Sequence, residues 1–157
     1  MGKVPALSHH GRVVTETPAI LAYLADAFPE AGLAPPAPEG QAYYRWLFFA
    51  AGPLEAALVD RALGFEVPIE KRGMVGYGTY EDTLDGLSKA VLGEGYIAGE
   101  KFSAADIYVG AHIAWGTQFG TLPKRPEYER YKNFVTDRDA YRRANELDNA
   151  LMPDTEE

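Results

Sequence analysis

The sequence predicts a mainly α fold: a bundle of about five or six helices preceded by a short ββα unit. Three observations predict it. Beyond residue 40, apolar residues recur at helical spacing along most of the chain. Strand character is confined to residues 3–14, where two short runs flank Ser8-His9-His10-Gly11. Between these regions, residues 29–40 hold four prolines and two glycines, the composition of an extended linker.

In order along the chain, Lys3–Leu7 and Arg12–Val14 read as strands with a turn between them. Ile20, Leu21, Leu24 and Phe28 then lie on one helical face. Thr17 suits the N-cap of that helix, and Pro18 its first position, where no N–H is needed. A helix from Gln41 to about Leu63 buries Trp46, Phe49, Ala50, Pro53, Leu54, Ala57 and Leu58, and Gly52-Pro53 kinks it. A second long helix is expected over Pro68–Leu92, although glycines 73, 76, 78 and 86 weaken it. Ser103 to about Gly116 is apolar on nearly every side, as a helix central to a bundle is. Shorter helices follow near Pro126–Val135 and Arg138–Ala150, and residues 152–157 are expected to fray.

Charge and composition exclude several classes. Fifteen Lys and Arg against 23 Asp and Glu give a net charge of −8, with the basic residues interleaved among acids. No basic face is left for phosphates, so nucleic acid is not an expected partner. There is no cysteine, hence no disulfide, thiolate metal site or thiol nucleophile. The longest apolar run, Trp46–Ala51, is far short of a membrane span, and no signal peptide is recognisable, so no membrane partner is expected and a cytoplasmic location fits.

Two segments carry more. In Phe102-Ser103-Ala104-Ala105-Asp106-Ile107, Ser103 and Asp106 have the spacing of a capping box, and Phe102 with Ile107 that of a hydrophobic staple. This nucleates a helix and is structural. In Lys3-Val4-Pro5-Ala6-Leu7, a proline between short strands can hold a cis bond and leave the Val4 backbone as a free edge for an extended peptide. The helix starting at Thr17 offers free N–H groups, a hydroxyl and a positive dipole end to a carboxylate, and Glu16 beside it suits an amine.

Together the two segments resemble soluble glutathione S-transferases of the bacterial, cytosolic type. Gly2–Leu7 with Thr15–Leu24 is similar to the second half of the family's thioredoxin-like domain, and Tyr96–Asp106 to the best-marked stretch of its helical domain. The resemblance implies a partial thioredoxin-like, glutathione-binding domain over 1–29, a linker over 30–40 and an all-helical C-terminal domain over 41–157. It implies a detoxifying transferase, a homodimer, that conjugates glutathione to a small apolar electrophile. Glutathione is then a co-substrate, with no cofactor or metal. Val4 and Pro5 resemble the family's cis-Pro pair, and Glu16 and Thr17 the acid–hydroxyl pair that holds the γ-glutamyl end. By the same analogy the second-substrate pocket is lined by Tyr44 and Phe48, four apart on one helix, and by Trp115 and Phe119 on another, although core packing competes for all four.

The family's first β-α-β unit has no counterpart here, and with it goes the Tyr, Ser or Cys that activates the thiol. No residue is therefore a catalytic candidate, and weak or no activity is expected of the chain alone. A fragment or mis-started reading frame is favoured over a natural truncation and over a partner that completes the sheet. The alternatives in function are a non-catalytic glutathione-transferase-like binding or assembly module, or a glutathione-dependent reductase or dehalogenase. His9-His10 reads as a hydrophilic turn without a third metal ligand, and His112 as a packing histidine with its hydrogen bonds satisfied.

Overall fold

In the computed structural model, which describes residues 2–152, the chain opens with an antiparallel hairpin of β1 (Ala6–His9) and β2 (Arg12–Thr15). Ala6 pairs with Thr15 and His9 with Arg12. His10 and Gly11 make the turn with φ of 49° and 75°. Two positive φ angles are the I′ pattern, whose twist matches that of a two-residue hairpin. The first strand begins later than expected because Pro5 has no N–H to offer the ladder. The Val4–Pro5 peptide bond is cis.

The first helix, α1 (Thr17–Ala27), corrects one expectation: Glu16, not Thr17, is its N-cap, so Thr17 and Pro18 both lie inside the first turn. Pro18 is still harmless there, since the first-turn N–H groups have no intrahelical acceptor. The linker is not extended throughout. It folds into single 3₁₀ turns at Pro29–Ala31 and Ala37–Glu39. The Ala104 N–H donates to the Leu33 carbonyl at 2.8 Å, which ties the linker to the helical bundle.

Next, α2 (Gln41–Phe49) continues through a π turn, Ala50–Leu54, into α3 (Glu55–Ala62). The kink expected at Gly52-Pro53 takes this form because Pro53 lacks an N–H, and a wider turn relieves the clash of its ring with the preceding turn. The long helix expected over 68–92 does not exist. A 3₁₀ segment, Ile69–Met74, is followed by a break and by α4 (Tyr80–Val91). Gly78 sits in that break at φ 71°, and the Thr79 side chain accepts the Asp82 N–H at 3.0 Å, so the helix is capped anew. Tyr77 therefore belongs to no helical stripe.

The central helix, α5 (Ala104–Phe119), runs past Gly116 and stops at Gly120, which takes the left-handed conformation at φ 78°. Gly116 is interior because Leu122 folds back onto it: a Cβ there would lie 2.7 Å from the leucine. Gly110 plays the same part against Val135 of α6 (Pro126–Thr136). A last helix, α7 (Asp139–Asn149), buries no residue. The fraying expected at the end falls, from residue 153 onward, outside the described residues. The core is a single cluster that includes Leu47, Leu54, Leu87, Val109, Ile113 and Tyr128, and it sits where α2 and α6 pack against α5 and α4 packs against α6 and α3.

Candidate functional site

The hairpin register brings the first group of candidate residues together. Because Ala6 faces Thr15, Val4 and Pro5 leave the sheet at the same end at which Glu16 and Thr17 enter α1. Val4 is 91% exposed and lies ahead of the ladder, which starts at Ala6, so among the described residues no strand pairs with it. Glu16 holds φ 69° and ψ 121°, a conformation that non-glycine residues avoid and that costs on the order of 1–3 kcal/mol. It gives the helix no side-chain cap. Among the described residues, neither the Glu16 carboxylate nor the Thr17 hydroxyl makes a hydrogen bond, so the N-terminal turn of α1 is open to an anion.

Ser103 and Asp106 close a capping box at the start of α5. The Asp106 carboxylate is fully buried and accepts four hydrogen bonds: from the Ser103 N–H at 2.9 Å, the Ser103 hydroxyl at 2.8 Å, the Ile97 N–H at 2.8 Å and the Tyr131 hydroxyl at 2.7 Å. One carboxylate thus joins the helix start, the loop before it and α6. Burial, and then the Asp106 charge, push the Tyr131 phenol far up. The phenol therefore stays protonated and donates.

The four aromatic residues expected at a second-substrate wall are not core. Tyr44, Phe48, Trp115 and Phe119 are 47%, 66%, 67% and 66% exposed. Trp115 and Phe119 are in contact, with ring centroids 5.6 Å apart, whereas Tyr44 leans on Tyr43. Among the described residues no aromatic contact joins the α2 pair to the α5 pair. Two clefts lie elsewhere, one between α3 and the start of α4, the other between the linker and residues 98–103.

The face of α5 that carries Trp115 and Phe119 holds two further residues: Tyr108, which sequence reasoning passed over, and His112, which it took for packing. Tyr108 and His112 are four apart, and their rings meet edge to face at 4.7 Å. Burial, and then the charges of Glu55 and Glu16, push the Tyr108 phenol up. His112 is not the satisfied packing residue that was expected. Its Nε2 is buried without a hydrogen-bond partner, and desolvation lowers its pKa to about 4. The signal in the sequence was the spacing Tyr108, His112, Trp115, Phe119, which keeps one helical face.

The histidine pair of the hairpin serves packing. His9 Nδ1 lies 2.8 Å from the Tyr23 hydroxyl, and its ring meets Phe28 at 5.6 Å, tying β1 to α1. Among the described residues no group of three His, Cys, Asp or Glu side chains is placed to hold a metal ion, and no helix is long and apolar enough to cross a membrane.

Comparison with known proteins agrees with this architecture. The family model of the glutathione S-transferase N-terminal domain matches residues 1–26. A sphingomonad glutathione S-transferase, solved in complex with glutathione, is 29% identical with a TM-score of 0.73, over 96% of this chain and 76% of that one. The beta-class enzyme of Sphingomonas chungbukensis is 29% identical with a TM-score of 0.74, over the same shares of 96% and 76%. The glutathione transferase of Methylococcus capsulatus strain Bath is 28% identical with a TM-score of 0.75, over 96% and 75%. Comparison with curated proteins gives no match. The chain has the fold of the glutathione S-transferases, a short ββα unit followed by the helical bundle. Its resemblance is to the bacterial, cytosolic-type branch of that family.

Proposed function

We propose that this chain binds glutathione at Val4, Pro5, Glu16 and Thr17, and that the protein is a glutathione transferase acting on a small apolar electrophile. The observation that carries the reading is the strained Glu16, with an unengaged carboxylate, beside the open first turn of α1 and at the Val4–Pro5 end of the hairpin. A tripeptide fits this arrangement in chemical terms. Its α-carboxylate meets the Thr17 hydroxyl and the helix N-terminus, its amine meets Glu16, and its middle residue pairs in extended form with the Val4 backbone.

The second substrate lies along the exposed aromatics of α2 and α5, Tyr44 and Phe48 on one and Trp115 and Phe119 on the other. The division of labour is a partial thioredoxin-like domain over 1–29, a linker over 30–40 and a helical domain over 41–157. A homodimer and a cytoplasmic setting are the family's pattern and part of the same proposal. None of the 157 residues is assigned the activation of the thiol, so conjugation by this chain alone is expected to be weak.

The test is calorimetric titration of glutathione into the chain and into a Glu16→Ala, Thr17→Ala double variant. Saturable binding that the variant loses supports the reading. A folded chain that ignores glutathione overturns it and leaves the assembly-module reading.

A further inference from the structure

Resting on the glutathione-site reading above, we propose that His112 is the hydrogen-bonding group of the second-substrate wall, and that it selects electrophiles bearing a hydroxyl or phenol over their purely hydrocarbon analogues. The placement comes first. The helix that starts at the candidate glutathione cradle, α1, packs against α5, and on α5 the Tyr108 ring touches that of His112. One helical turn further on the same face is Trp115, and one more is Phe119, both exposed and in contact. His112 therefore shares one helical face with that exposed apolar pair, on the helix against which α1 packs.

The chemistry comes second. A neutral imidazole has one N–H donor and one acceptor nitrogen, and folded proteins rarely leave such a group buried without a partner. His112 Nε2 is in that state. Its neighbours along the face are aromatic, and the Tyr108 hydroxyl makes no hydrogen bond among the described residues either. The residue as a whole is half-buried. A half-turn about Cβ–Cγ, a torsion that is soft and nearly two-fold, exchanges its inner and outer edges. A ligand hydroxyl on the outer side then finds a neutral acceptor, with Tyr108 beside it as a second polar group. A purely hydrocarbon ligand leaves both unpaired, which is how a built polar group discriminates between near-isosteres.

The experiment compares S-benzylglutathione with S-(4-hydroxybenzyl)glutathione by calorimetry on the full chain. It then repeats the pair on His112→Leu and on His112→Gln. The hydroxybenzyl conjugate is expected to bind the unaltered chain roughly fivefold more tightly. His112→Leu should erase that preference while leaving the benzyl conjugate within about twofold, and His112→Gln should restore part of it. A merely structural His112 would move both conjugates together. Equal affinities for the two conjugates in the unaltered chain overturn the inference even if His112→Leu fails to fold, and glutathione binding that persists in that case leaves the parent reading intact. Failure of glutathione and both conjugates to bind overturns the two together.

Discussion

At residue scale, Glu16 shows how function can run against stability. An L-residue at φ 69° and ψ 121° bears strain of about 1–3 kcal/mol. Nothing in the hairpin or α1 is gained in return, because the side chain caps no N–H. Glu16→Gly should relieve the strain, less the extra backbone freedom of glycine in the unfolded chain, for a net gain of about 1 kcal/mol. In a chain of this size that raises Tm by about 2–4 °C. Glu16→Ala, which keeps the Cβ that causes the strain, should give no such rise. Both variants should lose glutathione affinity, so thermal unfolding with titration of the same samples separates strain from binding. A drop in Tm for Glu16→Gly would show that the Glu16 side chain stabilises the fold by more than its backbone angles strain it. Resemblance made Glu16 legible in the sequence, but its backbone angles were not, because they arise from joining a hairpin of fixed register to a helix.

At the scale of elements, punctuation decided what could be read. Helices bounded by a proline, a capping residue or a left-handed glycine, such as α1, α5 and α6, came out within a few residues of expectation. The stretch 68–92 did not, because its tyrosines and leucines keep helical spacing across glycines that in fact break the chain. Spacing cannot show whether a glycine is a flaw in a helix or its end. Inside α5 the glycines mean a third thing, close approach. A Cβ on Gly110 would stand 2.7 Å from Val135 Cγ2, and valine, stiff at χ1, has little room to turn away. Gly110→Ala should therefore destabilise by about 1–2 kcal/mol, although alanine favours a helix interior by about 1 kcal/mol. Adding Val135→Ala makes room for the new methyl group. Denaturant unfolding of the two single variants and the double should give a coupling of at least about 1 kcal/mol, the double being more stable than the sum predicts. Additive effects would mean that α5 and α6 do not meet at this point.

At the scale of the whole molecule, the polar groups buried on folding decide how stability follows pH. His112 is the clearest case. Its pKa falls from the ordinary 6.5 to about 4 on folding, through desolvation. The unfolded chain thus binds a proton at pH values where the folded chain does not, and protonation draws the molecule toward unfolding. The stability tied to a neutral His112 is complete above pH 6.5 and is lost as the pH falls from there toward 4, by roughly 3 kcal/mol in all. Glu127 works in the same direction but lower on the scale, since the hydrogen bond from Ser88 holds its carboxyl below the usual range. The sequence shows both residues and neither environment: His112 looked like ordinary packing because the face it shares with Tyr108 reads as core until the exposed Trp115 and Phe119 are seen beside it. His112→Phe keeps a ring of comparable shape and removes the titration. Denaturant unfolding should show the unaltered chain losing stability steadily between pH 6.5 and 4, while the variant stays nearly level until the carboxylates titrate. The net charge vanishes near the pI of about 4.9, so the comparison is best made at low protein concentration, where association does not distort the curves. Parallel pH profiles for the two proteins would mean that the imidazole is solvated in the folded state, and the orphaned nitrogen on α5 would then have water as its partner.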